Sequence, residues 1–171
     1  MRIGLGLALV ATVSTAVACS DSAVLEADTV ALDAGAPIRT DRSVYRLRMT
    51  GDASVAEVRF EYRNGTNRTV EVPSCQGAHP PVLEKFEDGE WVVALSYPVL
   101  LCLAPPLRIG VGKTHRSTFT IRVFHRPNMY PQFEVEEIAG TYRLVWSLWH
   151  AGATEALPLE QRISNTFEVV D

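Results

Sequence analysis

The groups able to do chemistry in this chain are three cysteines, four histidines, scattered carboxylates and one glycine–lysine–threonine segment. Gly110-Val111-Gly112-Lys113-Thr114 ends like a phosphate-binding loop, in which backbone amides and a lysine cradle phosphates at the start of a helix. The full motif needs a further glycine where Leu107 stands, and a β-type run follows here instead of a helix, so the segment reads as a turn between strands. His79, His115, His125 and His150 form no His-x-His or His-x-x-x-His pair. His125 and Met129 are donor types that a copper site uses, but beyond residue 18 the only other methionine is Met49, too few for a methionine-rich carrier. There is no Gly-x-Ser-x-Gly elbow to present a nucleophile. The pairs Glu57/Glu61 and Glu134/Glu136 alternate outward along strands, which a solvated face explains without catalysis. The expectation is a protein that is not an enzyme, with no metal and no cofactor.

Cys19 says most about the setting. It follows Arg2 and the apolar run Ile3–Ala18, which is shorter than the roughly 20 residues a membrane span takes. The order is that of an export signal: charge, apolar stretch, small residues, cut. Ala16-Val17-Ala18-Cys19 looks like a bacterial lipobox, where cleavage precedes the cysteine and lipid is attached to it. The alternative is an ordinary signal peptide cut after Ala18, leaving Cys19 as a thiol. With lipid on Cys19 two cysteines remain, Cys75 and Cys102, in an oxidising compartment where a disulfide is the default. It would close a loop of about 27 residues, worth roughly 3–4 kcal/mol in the chain-entropy account. The alternative is a pair of buried free thiols. Lipid chains contribute about 0.8 kcal/mol per buried CH2, so acylation at Cys19 would hold the protein on the bacterial cell envelope, facing the periplasm or the cell surface.

The chain carries 16 basic and 20 acidic residues. Four of the acids, Asp21, Glu26, Asp28 and Asp33, fall between Cys19 and Pro37, where no base and no aromatic stands, so residues 19–37 read as a solvated tether after a signal of residues 1–18. Residues 38–171 hold 15 basic against 16 acidic side chains, a near-neutral domain that argues against nucleic acid as a partner.

From Ile38 onward the apolar period is two. Ser43–Met49 reads as a first strand. In Val55–Arg63, Val58, Phe60 and Tyr62 face one way and Glu57, Arg59, Glu61 and Arg63 the other, as in a half-buried antiparallel strand. Asn64-Gly65-Thr66-Asn67 is a turn, attributed to the ease with which Asn-Gly accepts positive φ. It overlaps glycosylation acceptor patterns, for which a bacterial chain offers no standard machinery. Val70 and Val72 point inward on Thr69–Val72. Glu87-Asp88-Gly89-Glu90 links Val82–Phe86 to Trp91–Leu95 as a hairpin. Thr114–Phe124, Thr141–Trp149 and Ile163–Val170 complete the strands, Pro127–Phe133 is a loop, and no useful helix is expected. In Thr141–Trp149 the alternation puts Tyr142, Leu144, Trp146 and Leu148 on one face and Arg143, Val145 and Trp149 on the other.

Ile138-Ala139-Gly140-Thr141-Tyr142-Arg143-Leu144 resembles the start of a late strand in immunoglobulin-like domains, where a tyrosine bonds back to the preceding corner. Tyr142 would be that tyrosine, with Gly140 allowing the close approach. Leu144 stands where an antibody-type domain has its second cysteine. The resemblance is to the immunoglobulin-like or fibronectin-type-III-like domains of bacterial lipoproteins and, more faintly, to the Ig-like domain of the intracellular proteinase inhibitor type. It implies an all-β antiparallel sandwich of about 7–9 strands over residues 38–171.

Three places have the composition of a partner-binding surface: Leu100, Leu101 and Leu103 around Cys102; Arg126, Met129, Tyr130 and Phe133 in the following loop; and Trp149. The expectation is a lipid-anchored interaction or structural module, bound to the membrane through Cys19 and to a protein partner. The alternatives are an inhibitor of envelope proteases and, further off, an envelope hydrolase or metal carrier.

Overall fold

The structure is a computed structural model and describes residues 35–74, 79–96, 104–126 and 129–171. Its strands are β1 Ile38–Thr40, β2 Val44–Arg46, β3 Arg48–Thr50, β4 Ala53–Arg63, β5 Val70–Ser74, β6 Val82–Glu87, β7 Glu90–Val93, β8 Leu95–Ser96, β9 Ala104–Ile109, β10 Thr114–Phe124, β11 Gln132–Phe133, β12 Gly140–Val145, β13 Trp149–His150 and β14 Phe167–Val170. A single turn of 3-10 helix at Leu159–Gln161 is the one helical element among the described residues. Apart from that turn the regular structure of the described residues is all β, as the period-two pattern predicts.

In one large sheet β4 pairs with β1, β3 and β10, and in the other the order is β2-β14-β12-β6-β7. Two small sheets, β13-β5-β9 and β11-β8, flank them. β4 and β10 are paired along their whole length, from Ala53 opposite Phe124 to Arg63 opposite Thr114. The inward residues Val58, Phe60, Tyr62, Phe119 and Ile121 of this ladder share one buried cluster with Leu83, Tyr142, Leu144, Phe167 and Val169 of the five-stranded sheet. Two sheets closed on one core make a sandwich, each large buried side chain contributing roughly 1.5–3 kcal/mol.

Several local readings hold. Asp88 and Gly89 both take positive φ, 49° and 89°, as the two-residue hairpin between β6 and β7 requires. Gly112 (φ 69°) turns the chain between β9 and β10, so the lysine–threonine segment is a turn and not a phosphate loop. The Tyr142 hydroxyl donates to the Ile138 carbonyl at 2.5 Å.

Other readings need correction. Ser43–Met49 is not one strand. After the Leu47 amide donates to Val170 O (2.8 Å), the chain leaves the five-stranded sheet, and Arg48–Thr50 pairs with the start of β4. The sheet is also not wholly antiparallel, since β2 runs parallel to β14. Alternation reports which face a residue takes and carries nothing about strand direction. The last strand begins only at Phe167, because buried Asn165 interrupts it. Its Oδ1 accepts from Thr40 N (2.9 Å) and its Nδ2 donates to Thr40 Oγ1 (2.8 Å), tying the two sheets together. Gly140, at φ 143°, makes room for Lys85 and not for Tyr142: a Cβ there would lie 2.8 Å from Lys85 Cε.

The turn after β4 is likewise built differently from the expectation. Gly65 does not take positive φ. Instead Asn64 is fully buried, donates to Arg68 O (2.8 Å) and Ile109 O (2.9 Å), and accepts from Thr66 N (3.0 Å) and Thr66 Oγ1 (2.8 Å). Removing that amide leaves buried backbone groups unpaired, at a cost of about 2–3 kcal/mol. Urea unfolding should therefore show Asn64→Ala strongly destabilised and Gly65→Ala within about 0.5 kcal/mol of the parent.

Candidate interaction surface

The outward side of β6 and β7 carries side chains that a solvated sheet face rarely holds. Leu83 and Lys85 point into the protein, which turns Val82, Glu84 and Phe86 outward. Lys85 is buried because Nζ donates to Glu87 Oε1 (2.8 Å) and to Glu137 O (2.5 Å), so its charge is met at the rim. Across the hairpin Phe86 is opposite Trp91 and Glu84 opposite Val93. The Phe86 and Trp91 rings lie 5.2 Å apart. Phe86 is 45% and Val93 49% exposed, and Val82 is also open. From β12, Arg143 reaches over this group. Its guanidinium sits 4.2 Å from the centre of the Trp91 ring, while Nε and Nη2 hold Glu84 at 2.7 and 2.6 Å. Trp, Phe and a pre-oriented Arg on an exposed edge of a sheet have the composition of interface hot spots.

The sequence reading missed this surface because Lys85 inverts the ordinary sense of the alternation. A lysine is normally taken as outward, which would have placed Phe86 in the core. The signal available was the pairing geometry itself: a two-residue turn at Asp88-Gly89 sets Phe86 against Trp91.

The residues singled out from sequence fall in separate places. Arg126, Met129 and Phe133 line one hollow of about 260 Å3 with Val123, Phe124, His125, Pro131 and Gln132. Tyr130, 57% exposed, precedes a cis bond to Pro131 at its rim. Phe133 is only half-buried and pairs with Leu95 between β11 and β8, so this segment is partly strand and not wholly loop. His125 faces Ser54 Oγ at 3.0 Å, and among the described residues no group of three or more His, Cys, Asp or Glu side chains is placed to hold a metal ion. Trp149 does not continue the face of Arg143 and Val145. The chain leaves the five-stranded sheet after Val145, and Trp149 pairs with Glu71 of β5. It is half-buried, and its indole N–H has no partner among the described residues. It lies toward the Arg63–Thr114 end of the long ladder and the Arg126–Phe133 hollow toward the Ala53–Phe124 end, roughly 30 Å apart by the rise of an eleven-residue strand. Leu100, Leu101, Leu103, Cys75, Cys102 and Cys19 lie outside the described residues.

A second hollow, of about 500 Å3, lies along β10 beside His79, Pro80, Pro81 and Pro131. His115 on its floor packs against Trp146, ring centres 5.7 Å apart. Burial first, and then the like charge of His79, hold the His115 pKa below the usual histidine value. The chain matches no protein-family model, no curated protein and no solved structure.

The His115 environment sets a pH dependence. The unfolded chain takes up a proton near pH 6.5 while the folded site resists it, so the unfolded state binds more protons and stability falls as pH drops. The urea midpoint should decline from about pH 7.5 to about pH 5.5, and decline less in His115→Asn. Parallel profiles for the two proteins would contradict this origin.

Proposed function

We propose that the protein is a lipid-anchored, non-catalytic interaction module of the bacterial cell envelope, with an immunoglobulin-like sandwich as its binding domain. The observation that carries the binding role is the exposed Phe86–Trp91–Val93 cluster with Arg143 stacked on it and fixed by Glu84. Support for the immunoglobulin-like arrangement comes from the bond of Tyr142 to Ile138 O at the entrance of β12, and from first and last strands of one sheet that run parallel. Support for the anchor remains the run Ala16-Val17-Ala18-Cys19. The inhibitor alternative rests on the faint resemblance to the proteinase inhibitor type and on the loop around Cys102, which lies outside the described residues, and no described feature favours it.

A Cys75–Cys102 disulfide fits the same reading. The β5–β9 ladder sets Ser74 opposite Ala104, next to one cysteine and two residues from the other. Thiol titration of the unfolded, unreduced exported protein should find neither of these sulfurs free, and two free thiols per chain would refute the bridge.

The anchor and the surface are tested separately. Cys19→Ser should move the protein from the membrane to the soluble fraction, and unchanged fractionation would remove the lipid reading. A photo-reactive residue at Phe86 or Val93 in intact cells should give a discrete adduct that Trp91→Ala reduces by roughly tenfold or more, while the same group at Glu160 gives none. Equal labelling at both places would remove this face as the interface.

A further inference from the structure

The other large sheet presents the opposite chemistry. Register puts Arg39, Glu61 and Arg116 in one row across β1, β4 and β10. Arg59 stands beside Thr118, Arg63 beside Thr114, and Arg48 and Arg122 on either side of Val55. All six arginines are exposed, and Glu57 and Glu61 are the acids that share the outward side of these strands. The remainder of residues 38–171 holds nine basic against fourteen acidic side chains, so the near-neutral total conceals a strongly positive face. Arg116 pairs with Glu61 at 3.2 Å, whereas Arg48, Arg59 and Arg63 form no ion pair among the described residues.

The described chain begins on this face. Gly35, Ala36 and Pro37 line an open cleft of about 1200 Å3 together with Arg39, Arg63 and Arg116. Pro37 O accepts from the Arg63 amide at 3.3 Å, which pins the entry point. Immediately upstream, Asp21–Asp33 holds four carboxylates and no base. Arg39 is six positions beyond Asp33, a reach of about 20 Å, and the segment Asp21–Asp33 can extend about 40 Å, longer than the arginine face. A covalently attached partner meets the face at an effective concentration near millimolar, which lets several weak exposed ion pairs act together.

We propose that the acidic segment Asp21–Asp33 docks on the arginine face of β1, β4 and β10, and is not the free stalk that its composition suggests. The contact is intramolecular and needs no lipid. Its consequence rests on the anchor reading: docking lays this sheet toward the attachment point and turns the Phe86–Trp91 face of the opposite sheet away from the membrane.

The exported chain carrying Cys19→Ser, labelled for amide spectra, tests this. At low salt the amide signals of residues 21–33 should be displaced from their positions in about 0.5 M NaCl, where screening acts within a few ångström. The combined variant Arg59→Gln/Arg63→Gln/Arg116→Gln should lose most of that displacement, and the control Arg46→Gln/Arg108→Gln/Arg126→Gln should keep it. Signals insensitive to salt and to the face variant, or equally sensitive to both variants, overturn the proposal. Should the arginine variant unfold, the reciprocal variant Asp21→Asn/Glu26→Gln/Asp28→Asn/Asp33→Asn should shift the Nε–H resonances of Arg59 and Arg63. Unmoved resonances overturn docking. Retention of the segment's low-salt signals while the face binds phosphatidylglycerol vesicles assigns the face to lipid and overturns it as well. Lipidation plays no part in these readouts, so failure here and failure of the anchor are separate results.

Discussion

Everything in the sandwich is arranged around Trp146. It leaves the end of β12 and is fully buried, with its ring edge-on to Phe60 and Tyr62 of the opposite sheet at 5.4 and 5.9 Å. A buried indole N–H needs an acceptor, and His79 O supplies it at 2.8 Å. That single bond requires the segment before β6 to lie over the core, which in turn brings His79 and the prolines beside β10. The Trp146 amide meanwhile donates to Arg162 O (2.8 Å), so the same residue fixes the strand that returns toward β14. Polar atoms of one residue thus decide the path of two separate segments, and the apolar cluster fills what they enclose.

The same logic separates what the sequence reveals from what it hides. Val58, Phe60, Tyr62, Phe119 and Ile121 are legible because two long strands alternate cleanly and these inward positions are all apolar. The Asp-Gly hairpin is legible because its turn chemistry is local. The parallel pairing of residues 44–46 with 168–170 is not, since nothing local distinguishes a parallel neighbour from an antiparallel one. Buried Asn64 and Asn165 are hidden for a different reason. Their amides serve partners up to 125 positions away, so their composition reads as turn and surface. Lys85 is the costliest case, because one satisfied buried charge reverses the apparent face of a whole strand and with it the location of the candidate surface.

Of the residues chosen from composition, Arg126, Met129 and Phe133 line one hollow, and Tyr130 adjoins it in sequence through Pro131. Trp149 does not join them, because β12 ends and the chain crosses to β5. Net charge conceals a second feature. The near-neutral total of residues 38–171 carries no information on how charge is distributed, and pleating sorts alternate residues to one side, so the outward positions of β4 and β10 collect arginine. Counting charge per face, which needs only the strand assignments, would have exposed this from the sequence.

The parallel pair of β2 with β14 has a mechanical consequence. A protein held at its N-terminal end and gripped elsewhere is pulled, and a load that enters β2 from its N-terminal side and β14 from its C-terminal end draws the two strands past one another lengthwise. The backbone bonds joining Val44–Arg46 to Glu168–Val170, with the Leu47 amide on Val170 O, then share the force at once. A hairpin pulled from its open end gives way one bond at a time. Against a load in that direction this short seam holds as a unit, behind the β1–β4 pairing and the Thr40–Asn165 bonds that the load meets first.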